Sequence, residues 1–131
     1  MDIQVQIRVV IADPVSAMRR SLSKIVESAW GWTVVAEARD GFEAVRLSRT
    51  ESADVLIADS SIGGLPTKEI RALLSATPTM VMVLIDNPDQ HARQAGPSAL
   101  KSVPADVLRD LILTQLHAHW AARSVVPELV P

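Results

Sequence analysis

Residues 53–64 read Ala53-Asp54-Val55-Leu56-Ile57-Ala58-Asp59-Ser60-Ser61-Ile62-Gly63-Gly64, so four apolar residues run between two aspartates and the second aspartate opens onto a Gly-Gly loop. An apolar run without polar alternation is the pattern of a strand in a parallel sheet that is covered on both faces. Asp59 then stands at the strand's carboxyl end, on the rim where open α/β sheets bind ligands. There it is either a site residue or the cap of a loop.

Four more runs flank this one: Ile7 to Ala12, Trp32 to Ala38, Met80 to Ile85, and a weak one from Ser98 to Lys101. Helical patterns fill the gaps. Met18, Leu22, Ile25, Val26 and Ala29 recur at helical spacing, with Ser16 placed as the cap. Asp40-Gly41 is a turn and cap leading to a short helix with Phe42, Val45 and Leu47 facing inward. Pro66-Thr67 starts a helix with Ile70, Leu73 and Leu74 on one face, closed at Thr77-Pro78. The stretch from Asp86 to Pro97 has two prolines, a glycine and few apolar residues, so any helix in it is brief. A long last helix is predicted from about Ala105 to Ala122, its stripe formed by Val107, Leu108, Leu111, Ile112 and Leu116.

Alternating strands and helices imply a parallel sheet with right-handed crossovers and helices on both faces. Five units predict an α/β, flavodoxin-like (βα)5 doubly wound sheet with strand order 2-1-3-4-5 and a reduced fourth helix. Asp13, Asp59, Asp86 and Lys101 each end or follow a strand run, so all four are expected on one rim. Carboxylates held together repel unless a cation sits among them, and an ammonium or a hard divalent ion is the usual answer. An aspartate exposed beside a lysine and a metal is a reasonable nucleophile toward a phosphoryl group: Asp59 the acceptor, Lys101 the point charge, Asp13 the metal ligand.

Composition narrows the function classes. The 131 residues suit one domain, and a net charge of -2 gives no electrostatic footprint for nucleic acid. The absence of cysteine excludes disulfides, thiolate metal sites and a cysteine nucleophile. No apolar run approaches the roughly 18 residues of a membrane span and the first residues lack a leader pattern, so the chain is expected to be cytoplasmic, without membrane or nucleic-acid partners. His117 and His119 lie two apart on a helix and form a poor chelate; Arg19-Arg20 and Arg46 with Arg49 read as solvated helix faces; Trp30 and Trp32 are expected to pack at the edge of the second strand.

Several segments carry a family likeness. Arg8-Val-Val-Ile-Ala-Asp-Pro-Val-Ser-Ala-Met-Arg-Arg-Ser-Leu22 resembles the first strand and helix of response-regulator receiver domains. Glu37-Ala-Arg-Asp-Gly-Phe-Glu-Ala-Val45 resembles their second strand and helix start, and Asp54-Val-Leu-Ile-Ala-Asp59 their phosphoacceptor strand. Leu100-Lys-Ser-Val-Pro-Ala-Asp-Val-Leu-Arg-Asp-Leu-Ile112 is similar to their lysine-bearing fifth strand and final helix. The resemblance implies that Asp59 is the phosphoacceptor position, Lys101 the phosphoryl-contacting lysine, Asp13 the first of an acidic pair, and the Ser61 backbone carbonyl a magnesium ligand.

The departures from the family are chemical. The second acid is Pro14, which has no carboxylate; the switch Ser/Thr is Ile85; the aromatic switch partner falls near Ala99; Ile62-Gly63-Gly64 stands where the family has Met-Pro-Gly. Losing a direct carboxylate ligand weakens magnesium, so Mg2+ is not expected to be required and its site on Asp13, Asp59 and Ser61 is expected to be vestigial. A phosphoryl group shifts a population only through a contact that favours the modified state, and neither Ile85 nor Ala99 supplies one.

The expected protein is a pseudo-receiver over residues 1–122 with a flexible tail at 123–131, not an enzyme. It acts in signal transduction as a phosphorylation-independent interaction module for a sensor kinase or downstream regulator, with a homodimer through the last helix or the fourth and fifth strand edge as a further arrangement. Trp120 is read either as an anchor for a partner or as cover for the bottom of the core. One competing reading keeps Asp59 as a working phosphoacceptor with weak Mg2+. Another rests on Asp59-Ser60-Ser61, which resembles the phosphorylated Asp-Ser-Ser loop of anti-sigma-factor antagonists.

Overall fold

The computed structural model describes residues 6–124. Five parallel strands, β1 (Ile7–Ala12), β2 (Trp32–Ala38), β3 (Val55–Asp59), β4 (Met80–Ile85) and β5 (Ser98–Leu100), form one sheet in the order β2-β1-β3-β4-β5. The helices are α1 (Ser16–Glu27), α2 (Gly41–Thr50), α3 (Thr67–Leu74) and α4 (Ala105–Ser124), with a 3-10 segment, Pro88–Arg93, in place of a full helix before β5. The predicted (βα)5 order and the reduced fourth helix are both observed.

Each central strand is sealed because its two faces feed two separate cores. Val9, Ile11, Ile57, Met82 and Leu84 point to one side, under Leu22 and Val26 of α1 and Leu108, Ile112 and Leu116 of α4. Val10, Leu56, Ala58, Val83 and Ile85 point to the other, under Ala44 and Val45 of α2 and Ile70 and Leu74 of α3. Strand residues alternate between the layers, so every position on β3 and β4 is buried and the sequence shows no polar alternation.

Several helical expectations need correction at the sheet's edges. Ser16 does not cap α1; Val15 occupies that position without a side-chain bond, and the Val15 amide instead donates to Asp13 Oδ1 at 2.8 Å. Met18, Phe42, Leu73, Val107 and Leu111 fit the apolar periodicity but are exposed. Phe42 is the second residue of its helix and lies over Gly64, where a Cβ would come within 3.0 Å of its ring. Trp30 is exposed, whereas Trp32 packs on the core. Trp120 is partly buried against the α1/α4 core and meets His117 in a tilted ring contact with centroids 5.8 Å apart, which favours the cover over the free anchor.

Asp40 caps α2 as predicted, accepting from the Glu43 amide at 2.9 Å. The last helix continues through Arg123 and Ser124, so the proposed tail loses its first two residues to helix, and the rest of it, 125–131, lies outside the described residues. Gly41 meets a packing constraint: a Cβ there would sit 2.6 Å from the Leu65 carbonyl oxygen, where α2 starts hard against the loop after β3. Gly41→Ala is expected to lower stability by about 1–2 kcal/mol, read from the urea midpoint at unchanged m. An unchanged midpoint would mean the loop yields freely.

Candidate functional site

The carboxyl ends of β1, β3 and β4 and the residue after β5 meet at one rim, as parallel strands in register require. Asp59 is the last residue of β3 and pairs with Leu84, while Lys101 follows β5 with its amide bonded to Ile85 O at 2.9 Å. Lys101 Nζ is ion-paired with Asp59 Oδ1 and, at 2.8 Å, with Asp86 Oδ1. Asp59 and Asp13 are each 4% exposed, and both line a cleft that Lys101 also lines. All four rim residues are therefore gathered as expected, but Asp86 serves the lysine.

Both oxygens of Asp59 are engaged. Oδ1 takes Lys101, and Oδ2 accepts the Ser61 hydroxyl and, at 2.8 Å, the Ser61 amide. The receiver likeness implies a role for Ser61 through its backbone carbonyl, whereas the structure adds its side chain, bonded to Asp59. An Asp-x-Ser spacing at a strand end is the available signal, since it closes a local turn of this kind.

Burial is the largest influence on Asp59 and pushes its carboxyl up, but the bonds from Lys101 and Ser61 outweigh it and hold the group below the usual aspartate value. Burial likewise pulls Lys101 down, and its two carboxylates more than reverse this, so the ammonium is held above the usual lysine value. The rim is a fixed, mutually charged pair.

Arg19 is not a solvated charge. It donates to the Asp13 backbone oxygen at 2.6 Å and pairs with Glu37 at 3.3 Å, tying α1 to β1 and β2. Arg20 and Arg46 are exposed as expected, and Arg49 bonds the Leu73 carbonyl at 2.8 Å. His119 meets Pro78 O at 3.0 Å. Among the described residues, no three His, Cys, Asp or Glu side chains are grouped to hold a metal ion. No described helix is long and apolar enough to cross a membrane.

No protein-family model matches the chain. It is 32% identical over 103 residues, 78% of its length, to a protein-glutamate methylesterase/protein-glutamine glutaminase from Anaeromyxobacter dehalogenans, and spans 29% of that protein. Among solved structures it resembles the response-regulator domain of Thermotoga maritima CheB, with a TM-score of 0.66 and 25% identity, covering 93% of this chain and 99% of that one. It also resembles the receiver domain of NarL from Mycobacterium tuberculosis, with a TM-score of 0.77 and 21% identity over 86% and 98% of the two chains. The chain thus has the fold of response-regulator receiver domains. Such domains are the signal-receiving parts of two-component systems.

Proposed function

We propose that this receiver acts in signal transduction by binding a partner protein, a sensor kinase or a downstream regulator, in one standing conformation that phosphorylation does not switch. The observation that carries the reading is the loss of the groups a phosphate switch needs, with Pro14 beside Asp13 and buried Ile85 and Ala99 in β4 and β5. Pro14 adjoins Asp13 where a second carboxylate would complete a cation site. Ile85 and Ala99 are buried apolar side chains, facing opposite layers of the core, with no group to recognise a phosphoryl oxygen.

The donor set does not suit magnesium. That ion demands near-octahedral oxygen coordination, whereas Pro14 stands where a second carboxylate would be, both Asp59 oxygens already accept from Lys101 or Ser61, and Asp86 is turned to Lys101. The Lys101 ammonium supplies the neutralising charge instead.

Incubating the intact chain with acetyl phosphate and Mg2+, followed by intact-mass measurement, is expected to show no metal-dependent phosphoryl adduct. Affinity capture with wild type and with Asp59→Asn is expected to recover the same partner equally. A stoichiometric, Mg2+-dependent adduct at Asp59 that alters capture would establish the second reading, a working phosphoacceptor. The direct Lys101 contact to Asp59 is what favours that alternative.

A further inference from the structure

The cleft behind the rim, about 100 Å3, runs between α1 and the turn from β5 to α4, with Met18, Ile25, Val103 and Leu108 on its walls and Asp13 beside the paired Asp59 and Lys101 at its rim end. Asp13 is almost wholly buried, and its Oδ1 holds the Val15 amide; among the described residues no donor or cation pairs with Oδ2. The neighbouring cations are committed elsewhere: Lys101 to Asp59 and Asp86, and Arg19 to Glu37 and the Asp13 backbone. The Lys101 ammonium thus serves two carboxylates, and Asp13 is left without a counter-charge among the described residues.

We infer that this cleft binds a small aliphatic amine as its ammonium, with the head on Asp13 and the alkyl chain between Met18, Ile25, Val103 and Leu108. Other ligand classes fit less well. An anion would meet the carboxylates, and a hard divalent ion would have Asp13, Asp59 and Ser21 at one end but hydrocarbon from Met18, Leu22, Ile25, Val103 and Leu108 over the rest of its octahedron. A neutral apolar molecule would bury the Asp13 oxygen unpaired. The volume corresponds to about three waters' share of liquid, which limits the ligand to a handful of heavy atoms. Ser21, also on the cleft wall, offers a hydroxyl that can accept a second ammonium proton.

The test is a methyl NMR titration of the intact chain at pH 7 with n-butylammonium, methylammonium and n-butanol. n-Butylammonium is expected to give saturable shifts at Met18, Ile25 and Val103. It should bind at least about tenfold more tightly than methylammonium, because each buried methylene is worth about fourfold. It should exceed n-butanol by a similar factor, and Asp13→Asn should remove at least about tenfold of its affinity. Met18→Trp, at an exposed position on the cleft, provides a second variant and is expected to abolish the shifts. Absence of saturation, equal binding of n-butanol, or full affinity in both folded variants would overturn the assignment. A peptide lysine carries the same head and stem, so Nα-acetyl-lysine methylamide is the fourth titrant. Weaker binding than n-butylammonium supports a free amine, and tighter binding overturns it in favour of a protein lysine.

Discussion

Replacing Lys101 by methionine is expected to lower the unfolding free energy at pH 7 by about 2–3 kcal/mol, because it keeps the aliphatic stem and strands a buried carboxylate without its counter-charge. Asp59 is buried whereas Lys101 is partly exposed, so the cost sits near or below the lower end of the range for breaking a fully buried pair. Asp59→Asn is the asymmetric control. It retains an oxygen for the Ser61 amide and leaves Lys101 on Asp86, so a loss of about 1 kcal/mol or less is expected. Equal losses in the two variants would mean that the pair stabilises as a unit and that no desolvated charge is left behind.

The pH dependence has a definite sign at each end. Asp59 is held below its ordinary value, so its contribution is complete above about pH 4 and is lost as pH falls through the folded-state pKa. Lys101 is held above its ordinary value, so its contribution is complete below about pH 10 and is lost as pH rises through the folded-state pKa. In Lys101→Met the burial of Asp59 is no longer opposed by an ammonium, so its carboxyl moves up and protonates earlier on acidification. The stability gap between wild type and variant should therefore narrow toward acid pH, which urea midpoints over a pH series would show. A gap that stays constant would place the effect in packing.

The strands were legible because burial on both faces leaves a signature that needs no partner: Met80–Ile85 is apolar throughout and could hardly be surface. The rim was legible for a related reason, since parallel strands in register bring their carboxyl ends together whatever the loops do. Helix faces were less legible. Periodicity identifies the apolar side of a helix but not where the sheet beneath it stops, so Met18 and Phe42 matched the pattern and still project beyond the sheet. The Ser61 hydroxyl was missed because the family likeness directs attention to its backbone. Arg19 was missed because a charged residue on a helix reads as solvated until its partners, Glu37 and the Asp13 carbonyl, are placed by the fold.

Arg71 makes the same point and yields the second large effect. From α3 it reaches across the sheet edge that the short 3-10 segment leaves thinly covered, donating to Val81 O at 2.8 Å and to Pro97 O at 2.6 Å. Gly96 makes room for it, since a Cβ there would lie 2.5 Å from the guanidinium. Burial pulls its pKa down, so the desolvation cost is real, and charge-assisted bonds to two carbonyls offset it. Pro97 O also accepts the Val83 amide at 3.1 Å, so one side chain holds β4 and the start of β5 together where a full helix would otherwise pack.

Arg71→Met keeps the stem and removes both bonds, and is expected to cost about 2–3 kcal/mol after relief of desolvation. Arg71→Lys should recover little, because a point ammonium cannot span two carbonyls as a planar fork does. Because β5 is only three residues long, the loss should be local first: amide exchange at Ser98, Ala99 and Leu100 should accelerate well before exchange in β1 and β3. Unchanged protection in β5 would show that the edge is held by its backbone ladder alone, leaving Arg71 as a half-buried cation with no structural return.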